Sequence, residues 1–301
     1  MNQQVGLIGV GIMGQGIARN LQKHGFPLTL LHHQGNQPTD DLVAGGAKLV
    51  QTPAEVAQSA EIIILVVTGA PEVESVLTAG SGLLAALRPG TVIVDCSTSK
   101  PETSQRLAAK AESAGARFID APMTGLAKQA AEGTLNVLVG GDPAVLESVR
   151  PVLEAFTRRV THVGPIGAGH RMKLLHNFVS VGSMALVAEA AAHASRAGVD
   201  PNILVEVLQT GGGYGAALDR LRPALTEGDT KSVPFAIANA AKDLRYYTEV
   251  AAESGAHHTI ADAIATTLDA QLTPGSGQRF MSELPHLLQA PPEHATADAK
   301  A

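Results

Sequence analysis

Gly9-Val10-Gly11-Ile12-Met13-Gly14 follows directly on the short apolar run Gln4–Gly9 and opens a helical stretch, Gly14–His24. No other feature constrains the fold as tightly. In a strand–turn–helix the first glycine permits the tight turn and the second lets the backbone approach a pyrophosphate. The third lets the helix pack close to the strand, with its N-terminal N–H groups aimed at the phosphates. The hexad by itself is a weak signal. Its place after the first strand, at the opening of a helix and within a strand–helix–strand unit, is what makes it specific for a dinucleotide site.

The rest of the N-terminal half agrees. Strand-like runs occur at Gln4–Gly9, Pro27–His32, Ile62–Val67, Thr91–Asp95, Arg117–Asp120, Asn136–Val139 and Arg159–Val163. Helical stretches lie between most of them: Gly14–His24, Ala54–Gln58, Pro71–Leu77, Pro101–Ala114 and Pro143–Ala155. Pro101 and Pro143 stand where a first helical turn tolerates proline. Strands apolar on both faces, alternating with helices, predict a parallel doubly wound sheet. The expected fold is α/β, with a Rossmann-type domain over residues 1–165. After Gly169 the pattern changes. Arg171–Ala197 is Ala/Leu/Met/Val-rich and nearly free of helix breakers, which predicts a helix about 40 Å long, apolar almost all round. Pro201–Leu208, Ala216–Leu225, Phe235–Ser254 and Ile260–Ala270 also read as helices. An all-α second domain over residues 166–288, opened by the long helix, is therefore expected. Residues 289–301 are rich in Pro, Ala and charge and are expected to fray.

Composition narrows the function. At 301 residues two domains are expected. A net charge of −6 speaks against nucleic acid as the main partner. Three Tyr, six Phe and no Trp supply no stacking platform for bases. A single cysteine, Cys96, excludes a disulfide framework and a cysteine-built zinc site, and fits a reducing compartment. The 11 His are scattered except for the pairs His32-His33 and His257-His258, so no metal site is expected. Met1-Asn2-Gln3-Gln4 carries no positive charge, and no stretch of 18 apolar residues occurs. Neither a signal peptide nor a membrane span is expected, and the reading is cytoplasmic.

Three tracts carry further chemistry. About 20 positions after the hexad, where NAD sites place an acid on the ribose 2′-OH, the chain has His32-His33-Gln34-Gly35-Asn36 and no acid before Asp40. Nothing there repels a 2′-phosphate, and His33 could donate to one, so the cofactor reading is NADP or NAD, leaning to NADP. The two histidines read equally as solvent-facing residues after a strand. The second tract is Asp120-Ala121-Pro122-Met123-Thr124-Gly125. It sets a hydroxyl and backbone N–H groups at a strand's C-terminal end, where open α/β sheets bind ligands, so Thr124 and Gly125 could hold an anionic substrate group. A structural loop is the alternative. The third is Gly167-Ala168-Gly169-His170-Arg171-Met172-Lys173-Leu174-Leu175-His176-Asn177. Lys173 and Asn177, four apart, share one helix face. A lysine on an apolar face needs a partner or a lowered pKa and is suited to proton transfer; judged by itself it reads better as one snorkelling to water.

Together these tracts resemble the β-hydroxyacid dehydrogenase family, which includes 3-hydroxyisobutyrate dehydrogenase and tartronate semialdehyde reductase. The resemblance spans roughly residues 4–288. Asp95-Cys96-Ser97-Thr98 with Pro101 matches the family's cofactor-side segment, and Lys242-Asp243-Leu244 matches a motif of its C-terminal domain. The resemblance implies NAD(P)-dependent hydride transfer to or from a small 3-hydroxyacid or its semialdehyde. Lys173 is then the acid/base and Asn177 orients the substrate. Thr124 and Gly125 bind its carboxylate, and Lys242 closes the site near the nicotinamide. Gly9, Gly11, Ile12, Met13, Gly14, His32, His33, Val67, Ser97 and Thr98 line the cofactor. A homodimer or homotetramer is expected, because the long helix is apolar on more faces than one small domain covers.

The chain departs from the family at several points. Thr124-Gly125-Leu126 stands for the usual Ser-Gly-Gly, Thr68 for a proline after the third strand, and His32-His33 for the aspartate or arginine that marks NAD- or NADP-preferring members. Two rival readings share the fingerprint: an imine-reductase-like enzyme, which normally lacks the lysine, and a non-catalytic dinucleotide-sensing module, which would not need Lys173, Asn177 and Lys242.

Overall fold

In the computed structural model, residues 3–273 and 279–290 are described. The chain divides into two units between Lys173 and Leu174, inside a long helix.

The first unit opens with β1 (Val5–Ile8), α1 (Ile12–Lys23), β2 (Leu28–Leu31), α2 (Asp40–Ala44), β3 (Lys48–Val50) and α3 (Pro53–Ser59). It continues through β4 (Ile62–Leu65), α4 (Ala70–Thr78), β5 (Val92–Asp95), α5 (Pro101–Ser113) and β6 (Arg117–Asp120). Then come β7 (Met123–Thr124), α6 (Ala127–Glu132), β8 (Leu135–Gly140), α7 (Pro143–Glu154) and β9 (Thr157–Gly164). The strands form one sheet in the order β3-β2-β1-β4-β5-β6-β8-β7, with β9 beside β8. Alternate residues of each central strand face opposite sides, and both sides are covered. Val5, Leu7, Ile62, Ile64 and Val94 pack with Ile17 and Leu21 of α1. Ile8, Ile63, Leu65 and Ile93 pack with Val56, Val73, Leu77 and Leu107 of α3, α4 and α5. This is the doubly wound α/β sheet expected.

The expectation of parallel pairing throughout fails at one place. β8 runs antiparallel to both β6 and β7. After β6 the chain spends its residues on the two-residue β7 and the short α6. Asn20 of α1 donates from Nδ2 to the Ala130 and Ala131 carbonyls, at 2.9 and 3.1 Å, and so holds α6. No full crossover helix carries the chain back across the sheet, so β8 enters reversed. The short elements β3, β7, α2 and α6 have too few residues for a periodic signal, and all four lie outside the elements expected.

The second unit is helical. The long helix α8 (Ala168–Arg196) crosses the division, and α9 (Pro201–Thr210), α10 (Ala216–Glu227), α11 (Ile237–Glu253) and α12 (Thr259–Asp269) follow. By length and composition α8 could cross a membrane, with a mean hydropathy of 1.3 over 18 residues. Instead, Val181, Met184, Ala185 and Ala188 pack with Leu221, Ile237, Leu244 and Ile264 in the core of this unit. Of the stretch 289–301, all but Gln289 and Ala290 lies outside the described residues.

Candidate active site

Strand register decides what meets what. Ile8 pairs with Leu65, Leu65 with Asp95, and Asp95 with Asp120. Four strand ends thus lie in one row, and the segments leaving them carry Gly9, Val67, Ser97 and Ala121 at one edge of the sheet.

At the first of these ends the hexad has the expected geometry. Gly9 turns at φ +99°, and a Cβ there would lie 2.2 Å from the Val66 carbonyl oxygen. At Gly14 a Cβ would lie 1.9 Å from the Gly9 oxygen. Gly11 differs: it is the N-cap of α1, and a Cβ there would meet nothing within 4 Å. No side chain caps α1 and its first turn holds no acid. An uncapped helix N-terminus beside open space at a glycine fits a pyrophosphate, whose charge the N–H groups and the helix dipole favour. Ile12 is 55% exposed beside it, whereas Met13 packs against the core.

The neighbouring loops are tied together. The Val67 N–H donates to Ser97 Oγ at 3.0 Å, and the Ser97 N–H donates to Asp95 Oδ1 at 3.0 Å. Thr98 is half-buried. Cys96 is buried, and burial pushes its thiol far above the ordinary range, so it stays an inert core residue. His32 and His33 are exposed at the end of β2. The Gly35 N–H donates to His33 Nδ1 at 3.0 Å, so the ring's proton is on Nε2. Asn36 clamps the hexad: its Oδ1 accepts from the Val10 N–H at 3.2 Å and its Nδ2 donates to the Leu31 carbonyl at 2.9 Å. Of the following acids, Asp41 is engaged by Arg19 on the surface, at 2.7 Å.

Thr124 lies half-buried in β7, with its Oγ1 3.4 Å from Asn136 Nδ2. Gly125 is exposed, and Leu126 caps α6 by donating its N–H to Gln129 Oε1 at 2.9 Å. Lys173 is half-buried on α8, little more than one turn from the start of that helix. That start is held by Asp120, whose Oδ1 accepts from the Gly167 N–H at 2.7 Å and whose Oδ2 accepts from the His170 N–H at 2.8 Å. The approach is close enough that a Cβ at Gly169 would sit 2.5 Å from the Leu138 oxygen. Asp95, Asp120 and His170 are all fully buried. Burial pushes the Asp95 carboxyl up to about 6. It raises Asp120 as well, opposed by His170 and the two N–H donors.

In the second unit Asn177 on α8 and Asp243 on α11 are both buried, and Asn177 Nδ2 donates to Asp243 Oδ2 at 2.6 Å. Lys242 Nζ lies 2.8 Å from Asp243 Oδ1, a close ion pair, and 4.9 Å from the centre of the Tyr246 ring. Phe178, next to Asn177 on α8, stacks on Tyr247, one turn beyond Asp243 on α11, with ring centres 4.5 Å apart. A separate hollow of about 640 Å³ in this unit, lined by Leu204, Leu225 and His286 among others, includes neither Asn177 nor Lys242. The sequence reading assigned no role to Asp95, Asp120, Asn36, His170 or Asp243. Asp120 and Asp243 stand inside quoted motifs, yet only their partners in space reveal what they do.

Comparison with known proteins agrees with the geometry. Residues 4–164 match the NAD binding domain of 6-phosphogluconate dehydrogenase, and residues 167–287 match the NAD-binding region of NADP-dependent 3-hydroxyisobutyrate dehydrogenase. The NAD-dependent L-serine dehydrogenase of Pseudomonas aeruginosa is 35% identical over 73% of this chain and 74% of its own length. The 2-hydroxy-3-oxopropionate reductase of Escherichia coli is 36% identical over 69% of this chain and 70% of its own. A structure of Mycobacterium tuberculosis 3-hydroxyisobutyrate dehydrogenase with L-serine has a TM-score of 0.84 at 28% identity, covering 96% of this chain and 100% of the other. A chain matched in both halves, with relatives this similar along most of its length, belongs to the β-hydroxyacid dehydrogenase family and is an NAD(P)-dependent oxidoreductase acting on hydroxyl groups.

Proposed function

We propose that the chain interconverts a small 3-hydroxyacid and its semialdehyde, of the 3-hydroxyisobutyrate or tartronate semialdehyde kind, with Lys173 as proton donor and acceptor. The nicotinamide supplies or takes the hydride when bound. Lys173 moves the proton at Nζ to or from the substrate oxygen, and Asn177 orients the substrate. Thr124 Oγ1 and the Gly125 N–H hold the carboxylate, and Lys242 completes the site beside the nicotinamide. One observation carries the reading: the register of β1, β4, β5 and β6 brings the glycine turn, Val67, Ser97 and the Asp120-held start of the lysine helix to one sheet edge. The lysine speaks against the imine-reducing and sensing readings.

NADP is the favoured cofactor in this reading. An Nε2–H on the exposed His33, with no acid among residues 32–36, suits a 2′-phosphate better than it suits the discrimination of a bare ribose. The exposed apolar residues of α8, Val179 at 65% and Leu186 at 66%, support a homodimer or homotetramer, to be read by light scattering at micromolar concentration. The single cysteine is compatible with work in the cytoplasm.

Lys173→Ala tests the assignment directly. Its turnover should fall by about 10² to 10⁴, while fluorescence titration with NADPH and NADH gives the parental dissociation constants. Lys173→Arg should not restore it, because guanidinium does not readily release a proton. Near-parental turnover of Lys173→Ala would remove Lys173 from the mechanism. A preference for NADH of about tenfold, or 1.4 kcal/mol, in the same titration would reverse the cofactor assignment.

A further inference from the structure

We propose that His170 is a positioning residue that sets the first turn of α8, and Lys173 with it, in register with the loop leaving β5. The inference rests on the site assignment above and adds to it a residue that touches neither substrate nor cofactor.

The observations are geometric. His170 is fully buried, and both ring nitrogens have protein partners: Nε2 lies 3.1 Å from the Ser97 carbonyl oxygen and Nδ1 lies 2.6 Å from Ser104 Oγ on α5. A carbonyl oxygen only accepts, so Nε2 must carry the proton. The neutral Nε2–H ring and the doubly protonated ring both satisfy that bond; the ring protonated at Nδ1 alone does not. Two buried carboxylates flank the ring, Asp95 Oδ2 at 3.9 Å from Nε2 and Asp120 Oδ2 at 3.8 Å from Nδ1.

These contacts make one connected frame. Ser97, whose carbonyl takes the Nε2–H, also accepts from the Val67 N–H through Oγ and donates its own N–H to Asp95. Asp120, on the adjacent strand, accepts from the Gly167 and His170 N–H groups. The opening of α8 is thus gripped twice, by Asp120 through its backbone and by Ser97 through the His170 ring. Asp120 holds the backbone of the first turn through one carboxylate, and the His170 ring adds a buried hold on the loop that carries Ser97 and Thr98. Lys173 lies three residues beyond His170 on the same rigid helix, so a displacement of the first turn is a displacement of Nζ. Acid/base transfer is steep in distance, and an error of about 1 Å is enough to lower the rate by about 10².

The test compares His170→Leu, which fills the space without hydrogen bonds, with His170→Gln, whose amide can donate to Ser97 and accept from Ser104. Steady-state kinetics give kcat and KM, and fluorescence titration gives the dissociation constant for reduced nicotinamide cofactor without turnover. In the Leu variant kcat should fall by about 30-fold and cofactor binding weaken by about tenfold, with the hydroxyacid KM within about threefold of the parent. The Gln variant should recover both to within about fivefold. A folded Leu variant with parental kcat and cofactor affinity, or a Gln variant as impaired as Leu, overturns the proposal. A ¹⁵N NMR measurement of the His170 ring in the unmutated protein decides the case without a variant that must fold: a proton on Nδ1 alone refutes it. Full turnover in Lys173→Ala would instead fail the site assignment, and the ring measurement and the cofactor titration would still judge the His170 frame.

Discussion

In the first unit four strands end in register, and Gly9, Val67, Ser97 and Ala121 follow within two residues of those ends. In the second, Asn177 and Asp243 stand 66 positions apart and meet because α8 and α11 share a packed core. The first arrangement works largely through backbone: a turn at Gly9, free N–H groups at the start of α1, and carbonyl and N–H partners for Ser97 and His170. The second works through side chains alone, since a helix satisfies its own backbone and has only side chains left to offer. Backbone groups are present whatever the residue, so the first unit needs chiefly the residues that let chains approach one another. The second needs a particular amide opposite a particular carboxylate.

Three perturbations sharpen that contrast. The largest effect is expected where backbone meets backbone. Gly14→Ala puts a methyl group 1.9 Å from the Gly9 oxygen, and urea titration should show a loss of about 3 kcal/mol or more together with loss of cofactor binding. Gly11→Ala, its neighbour in the same motif, meets nothing within 4 Å among the described residues beyond its own chain neighbours. It should change stability by less than about 1 kcal/mol, the scale of an N-cap exchange, while still weakening cofactor binding. Equal stability losses in the two variants would break the account of the turn.

Burial of charge in the first unit gives the next effect. Asp95 is raised to about 6 by burial, so the folded state holds its proton more tightly than the unfolded chain does. The penalty is absent below about pH 4, grows as pH rises through the folded value, and is complete above it. An uncharged Asp95→Asn, which still accepts from the Ser97 N–H, should therefore be more stable than the parent by up to about 3 kcal/mol at pH 8, with the difference gone by about pH 4. Denaturant titrations at the two pH values check this; a gain that does not depend on pH would mean that Asp95 is not held up by burial.

The smallest effect belongs to the helical unit. Asp243→Ala leaves the Asn177 amide without its acceptor and should cost about 1–3 kcal/mol. Combined with Asn177→Ala the two losses should fall short of additivity by about 1 kcal/mol, because either change already breaks the bond. Strict additivity in that double-mutant cycle would show that the pair is adjacent without being coupled.

Much of the first unit was legible in the chain. The hexad announced its turn, β-branched runs such as Ile62–Val67 announced the central strands, and Pro101 and Pro143 opened helices where they stood. The reversal at β8 was not legible, because a largely buried strand inside a sheet has the same composition whether it runs antiparallel or parallel. Direction came from β7 and α6, each too short for a period to register. Lys173 and Asn177 stood out as polar residues four apart in an apolar stretch, and Lys242 only as part of a motif of the resemblance. His170 and Asp120 are the sharper omission. A histidine near the start of a helix and an aspartate ending a strand are common, and neither residue type implies that a ring will reach the Ser97 carbonyl.

By itself, then, the sequence determined whatever depends on neighbours along the chain: which segments are strands or helices, where the glycine turn must form, and which lysine sits on an apolar helix. Those properties follow from local sterics and periodicity, which act within about ten residues. Tertiary structure alone decided the register that aligns Ile8, Leu65, Asp95 and Asp120, the double grip on the start of α8, and the pairing of Asn177 with Asp243. Such contacts join residues tens of positions apart. They are selected by whether a buried polar group finds a partner in the folded chain, and a buried group's partner is a property of the packing around it.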